Sequence, residues 1–307
     1  MKTVVLYSPF FLFHDPGETH PDSPGRFFDF GNFVKSLPSD IEIVLPSKVA
    51  GVSDLLSVHS LNYINHVLSY KNISGSLDYE TFLSAHSVEV ALAAAGASIE
   101  LVDLVINKNC NGFALVRPPG HHAESNCGMG YCIFNNISIA AGFALKNGMN
   151  RVLIVDIDAH RGNGTQSIFK GSENVRVFSV HQEHLFPSDE LQPNDWGAEL
   201  SIPVPTGSAD IEYARVFETI LIPFVNSFRP NIILVSAGFD AHIDDPMSEL
   251  CLTDNGYKMV FDNLCRIANE FCAGRIAYFL EGGYDNYTLK KCILHCCQTL
   301  TAAHKEV

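Results

Sequence analysis

RVLIVDIDAHRGNG, residues 151–164, is the stretch from which the rest of the chain is read. Residues 152–155 are a β-branched and aliphatic run of the kind that forms a buried parallel strand, and they lead into Asp156, Asp158 and His160, which a core does not tolerate uncompensated. Side chains alternate along a strand, so these three are expected on one face, with Ile157 and Ala159 on the other. Two carboxylates and an imidazole would then converge at a strand's C-terminal end. Removing such charges from water is costly unless a cation or hydrogen bonds compensate, and a bound metal would do so. An N-cap and loop cluster at a strand-to-helix turn fits the same spacing, so on this stretch alone both readings stay open.

The chain has 307 residues, 47% hydrophobic and 18% charged, enough for one large α/β core, and no linker interrupts residues 1–307. Acidic residues outnumber basic ones 34 to 20, and the formal charge of −14 disfavours nucleic acid and anionic membrane surfaces while suiting a cationic ligand. Nine cysteines, an odd set without a paired CxxC, are expected to be reduced thiols of a cytoplasmic protein. The N-terminal apolar run is broken by Pro9, His14 and Asp15 and reads as a first strand, not a signal peptide. Residues 88–106 carry Glu89, Glu100 and Asp103, so they are expected to form an amphipathic surface helix and not a membrane span.

Strands are predicted at residues 3–7, 41–45, 113–116, 152–155, 175–180, 232–236 and 276–280, and helices at 53–70, 84–106 and 135–146. His59, His66 and His86 fall in the helical segments and are read as surface or core-edge side chains. The loop at 14–26, dense in Pro, Gly and Asp, is long enough to be functional. After residue 116, Pro118, Pro119 and Gly120 stop regular structure and present His121 and His122 at the sheet's C-terminal edge, where open α/β sheets hold ligands. Residues 181–197 read as a loop containing His181, His184 and Trp196. Asp240 follows the strand at 232–236, a position where a lone Asp ordinarily caps a helix. The last strand ends in EGGYD, whose glycines permit close backbone approach and whose tyrosine is Tyr284. Alternating strands and helices imply a parallel sheet covered on both faces.

RPPGHHA, DIDAH followed by GNGTQ, SAGFDAH and GGY, in that order, together with HPDSPGR and LDYETFLSAHS around His20 and Asp78, resemble the histone deacetylase family of zinc amidohydrolases over nearly the whole chain. The GNG containing Asn163 resembles the class II side of that family. The resemblance implies an arginase/deacetylase-like α/β fold with a central, mostly parallel sheet. It implies Asp158, His160 and Asp240 as zinc ligands, His122 as general base and acid oriented by Asn163, His121 as electrostatic partner held by Asp156, and Tyr284 as donor to the scissile carbonyl. It also implies a substrate tunnel walled by Gly130, Tyr131 and Phe186. A potassium site beside the zinc would use Asp156, backbone oxygens of Asp158 and His160, Ser179 and Val180. Fe(II) or Co(II) would suit the same His and carboxylate donors. Neutral Asn163 should raise the basicity of His122 less than an Asp would.

The chain departs from the family pattern at Arg161, where a second His is common, at Tyr131, where Phe is usual, and in the loop after His181. These bear on substrate preference and remove no reacting group. In the family's polyamine deacetylases an acidic gatekeeper stands seven residues after the third zinc ligand; here that position is Met247, an uncharged thioether suited to an acyl-lysine stem or a longer acyl chain. The expectation is therefore a deacetylase or deacylase acting on acyl-lysine in peptides or proteins, with an acetylpolyamine deacetylase as the alternative. A dinuclear-manganese ureohydrolase would need more carboxylates at the strand ends. An inactive acyl-lysine-binding scaffold would be expected to lack the tyrosine or a ligand.

Overall fold

Strands that are apolar on both faces must be covered on both sides, and the chain satisfies this with one sheet between two helical layers. A computed structural model describes residues 1–187 and 199–303. In chain order its strands are β1 (Lys2–Leu6), β2 (Ile41–Val44), β3 (Gly75–Ser76), β4 (Phe82–Leu83), β5 (Cys110–Ala114), β6 (Val152–Asp156), β7 (Val175–Gln182), β8 (Glu199–Val204), β9 (Ile232–Ala237) and β10 (Ile276–Leu280). Eight of them form a parallel sheet in the order β2-β1-β5-β10-β9-β6-β7-β8, and β3 and β4 form a separate antiparallel pair. The helices are α1 (Phe30–Lys35), α2 (Val52–Leu55), α3 (Leu61–Leu68), α4 (Ser87–Asn107), α5 (Asn136–Lys146), α6 (Asn163–Phe169), α7 (Asp210–Val216), α8 (Ile222–Phe228), α9 (Asp254–Cys272) and α10 (Asn286–Ala302).

Alternation along β6 shows how the layers form. Val152 and Ile154 join a core with residues of α4 and α5, whereas Leu153 and Val155 join the opposite core with residues of α9 and α10. The parallel, doubly covered sheet is the fold class that the sequence predicts.

Local details differ from the sequence pattern. The predicted helix at 53–70 is two short helices, α2 and α3, because residues 56–60 turn to bury His59. Its Nδ1 faces the Glu124 carbonyl at 2.9 Å and its Nε2 accepts the Asn135 N–H at 3.0 Å, while Ser60 caps α3. His59 is thus buried inside the fold, while His66 and His86 are exposed. Helix α4 is not a surface helix: most of its circumference is buried, and a side chain at Gly96 would collide with the Lys48 carbonyl. Its three acidic residues mark one edge of a helix whose small residues allow close packing. Strand β7 continues to Gln182, so His181 lies on a strand and not in a loop. Strand β8 was not predicted. It contains Pro203, which reads as a strand breaker, but β8 is an edge strand and tolerates the missing donor. Trp196 and the rest of 188–198 lie outside the described residues. Among the described residues, no helix is long and apolar enough to cross a membrane.

Candidate active site

The four central strands, β5, β10, β9 and β6, deliver the polar residues of the site from their C-terminal ends. Asp156 closes β6, and beyond it the chain turns, so the strand alternation stops four residues short of His160, to which the spacing carried it. Asp156 therefore does not join Asp158 and His160 in one cluster, as strand periodicity implied. Its Oδ2 lies 3.0 Å from His121 Nδ1, and its Oδ1 accepts the Asp158 N–H at 3.1 Å. The third member of the cluster is Asp240, from the turn after β9.

Asp158 Oδ1 and Asp240 Oδ2 each lie 3.0 Å from His160 Nδ1, and one ligand atom from each residue falls within 4.8 Å of the other two. Both carboxylates are fully buried. They are aimed by backbone donors: Gly282 N–H to Asp158 Oδ2 and Ala159 N–H to Asp240 Oδ1, both at 2.8 Å. A side chain at Gly282 would strike both carboxylates, so only glycine lets this strand end close over the group. Burial and the Asp158 carboxylate push Asp240 up to about 6, and the two carboxylates, against the opposing effect of burial, drive His160 up to about 10. Such a demand for positive charge, from two hard oxygens and one imidazole nitrogen, fits a divalent ion with three protein ligands and open positions.

The two adjacent histidines are set to opposite protonation states. Burial lowers the pKa of both, but for His121 the carboxylates of Asp156, Asp158 and Glu281 outweigh it and hold the ring well above the ordinary 6.5. For His122, burial is reinforced by His121 and His160, and the ring titrates well below 6.5. His122 Nδ1 lies 2.7 Å from Asn163 Oδ1, while Asn163 Nδ2 donates to Glu124 Oε1 at 3.2 Å. This amide orientation assigns the His122 proton to Nδ1 and leaves Nε2 with its lone pair.

Above the cluster is a cavity of about 240 Å³ lined by His121, His122, Gly130, Tyr131, Asp158, His160, Phe186, Met247 and Tyr284, all expected at the site, by Pro119 and Gly282, read from the sequence as a breaker and a close-approach glycine, and by Glu80 and Leu185, which were not singled out. Asp240, Asp156 and Asn163 lie behind this lining. Ser179 pairs in register with Asp156 on the neighbouring strand, with Val180 next to it, away from the cavity. Gly130 has φ +56°, and a side chain there would run into the His122 ring. Tyr131 follows at φ +67°, a left-handed conformation uncommon for a bulky residue. It is held by its N–H to Thr81 Oγ1 at 3.1 Å and by the edge-on His20 ring at 4.4 Å. Phe186 packs edge-on to His122 at 5.0 Å.

Several supports escaped the sequence reading. Glu281 accepts the Gly120 and His121 N–H groups at 2.7 and 3.1 Å and the Ser236 hydroxyl at 3.0 Å, tying the ends of β5, β9 and β10 together. Arg26 explains why the 14–26 loop reaches the site. It donates to the Glu281 and Gly283 carbonyls, stands 4.9 Å from the Tyr284 ring centroid, and shares Asp22 with Arg117, each at 3.1 Å. Asp245 Oδ2 accepts the Tyr284 and Asp285 N–H groups. A strand-terminal glutamate and a single arginine in a Pro/Gly loop were the only available signals.

Residues 20–300 match the model of the histone deacetylase domain. The chain belongs to the histone deacetylase family. It is 35% identical over 295 residues to a probable deacetylase of Archaeoglobus fulgidus, covering 93% of this chain and 82% of that one. It is 38% identical over 302 residues to histone deacetylase 14, chloroplastic, of Arabidopsis thaliana, covering 90% and 71%. The crystal structure of the HDA15 HD domain superposes with a TM-score of 0.90 at 28% identity, covering 98% of this chain and 90% of that one. The histone deacetylase fold, with its eight-stranded parallel sheet, is thus the fold of this chain, and membership of the family supports a hydrolase.

Proposed function

We propose that the chain is a zinc-dependent amidohydrolase that removes acetyl or longer acyl groups from lysine side chains of peptides or proteins. The observation that carries this reading is the stacking of parts in one channel: a three-donor group at the base, a neutral histidine and a tyrosine beside it, and the uncharged Met247 side chain on the wall. Asp158, His160 and Asp240 would hold the ion. When bound, zinc supplies a Lewis acid that polarises the acyl carbonyl and lowers the pKa of water toward about 7.

The chain's own residues supply the proton transfers. Neutral His122, fixed by Asn163 with Nε2 unprotonated, accepts the proton of the attacking water and later gives it to the departing amine. Tyr284, whose hydroxyl burial holds well above the ordinary 10, stays protonated at neutral pH and donates to the developing oxyanion. His121, kept cationic by Asp156, stabilises the negative charge that builds beside it. Asp156, Ser179, Val180 and the backbone of Asp158 and His160 would hold a potassium ion behind the ligand group. A two-manganese ureohydrolase would need more carboxylates, and among the described residues the Asp158 group has three members, of which two are carboxylates.

Steady-state assay of purified enzyme on acetyl-lysine and longer acyl-lysine peptides and on acetylated polyamines tests the substrate class. The reading predicts the highest kcat/KM on an acyl-lysine peptide. A higher value on N8-acetylspermidine than on every peptide would overturn it.

A further inference from the structure

Among the described residues that line the channel, one carboxylate, Glu80, is not used by the proposed chemistry. Glu80 lines the cavity with Met247 and Tyr131, yet it takes no part in the ligand group. It belongs to the short connection between β3 and β4, whose backbone is pinned at this residue from both sides: the Glu80 N–H donates to Asp78 Oδ1 at 3.0 Å, and the Glu80 carbonyl faces His20 Nε2 at 2.9 Å. Asp78 Oδ1 also accepts the Thr81 N–H at 2.6 Å, and Thr81 in turn accepts the Tyr131 N–H. The side chain is therefore carried on a rigid turn that is joined to the channel wall. Among the described residues no Lys or Arg is paired with it. The aromatic rings of Tyr79, on this turn, and of Phe82, at the start of β4, stand exposed, and aromatic faces and carboxylates both attract cations.

We propose that Glu80 is a specificity residue that receives a second positive charge on the substrate, an ammonium or guanidinium lying outside the acylated side chain. This rests on the deacylase reading and narrows it to cationic substrates. The charge could belong to a lysine or arginine next to the acyl-lysine of a peptide, or to the far end of a polyamine; the ion-pair chemistry at Glu80 is the same. Burial and the neighbouring Asp78 disfavour the free Glu80 carboxylate and outweigh the hydrogen bond from the Tyr79 side chain and the nearby imidazoles, and a substrate cation relieves that cost. The chain's formal charge of −14 favours the approach of the same substrates. Met247, on the same channel, contributes no charge, so among the described lining residues selection by charge falls to Glu80.

Two matched substrate pairs test this on the zinc-loaded enzyme. One pair is an acetyl-lysine peptide with lysine or norleucine beside the acetylated residue. The other is N8-acetylspermidine and an acetylated alkylamine of the same length without further amines. Wild type should favour the cationic member of at least one pair by about 3- to 10-fold in kcat/KM, mostly through KM, and added salt should shrink the ratio. The pair that responds identifies the source of the charge. In Glu80→Gln the ratio should fall toward one. A wild-type ratio near one in both pairs, or a ratio that Glu80→Gln leaves intact, overturns the assignment while the deacylase reading stands. Absence of turnover on every amide of both pairs overturns that reading and this one with it.

Discussion

The base of the channel and its wall are built by different means. The base consists of strand ends and the turns that follow them: Asp158, Asp240 and His121 each hold a contact to backbone or to a buried partner at or just past the end of another strand, and all three are buried. The wall consists of loops. Glu80, Tyr131, Phe186 and Met247 come from four separate connections and are tied down by a few bonds each. A group fixed by a sheet keeps sub-ångström geometry under substitution elsewhere, which reaction chemistry requires, whereas a loop wall can vary without disturbing it. The base should therefore govern rate, and the wall, preference.

The sharpest way to break this division is at the base. His122→Ala should lower kcat by about 10²- to 10⁴-fold, and Tyr284→Phe by about 10²- to 10³-fold, with bound metal retained in both. Metal content measured alongside turnover distinguishes a lost proton carrier from a lost ion. Near-normal turnover in either variant would remove the assigned role.

The clamp that joins the two regions should show its effect in stability. Asp22 sits fully buried between Arg26 and Arg117, and removing it in Asp22→Ala leaves two buried guanidinium groups without their carboxylate. Urea unfolding should report a loss of about 3–5 kcal/mol. The arginines outweigh burial and hold this carboxyl below its ordinary 3.8, so its contribution is complete above 3.8 and is lost as pH falls through the lower folded value. Acid unfolding of the variant should lack that component.

Much of the base was legible from residues 117–136 and 151–164, because strand-terminal charges in apolar runs are conspicuous. Periodicity nonetheless placed Asp156 with Asp158 and His160, since nothing in the pattern marks where the strand stops. Asp240 by itself looked like a helix cap, and only the order of several motifs connected it to the others. The wall was harder to read. Tyr131 depends on a left-handed backbone that neighbouring contacts impose, and Arg26 meets Gly283 across a separation of 257 residues. Such contacts follow from the topology and leave no local pattern.

A smaller effect is expected behind His122. Asn163→Asp adds a negative charge to its Nδ1 partner and should raise the His122 pKa, so the acid limb of the kcat/KM profile should move to higher pH. An unchanged limb would assign it to another group. At the wall the effect should be smallest: Met247→Glu should shift the ratio of polyamine to peptide kcat/KM by only about 3- to 10-fold toward polyamine, with acyl-lysine turnover persisting. A collapse of kcat on all substrates would show that this position belongs to the base.

Metal dependence tests the central claim most directly. The purified chain is stripped of metal by a chelator, zinc is restored, and acetate release from an acetyl-lysine peptide is measured for wild type and Asp240→Asn in parallel. Zinc should restore wild-type turnover and leave Asp240→Asn lower by at least about 10³-fold. Full turnover by the stripped wild type, or equal recovery of Asp240→Asn, would contradict it.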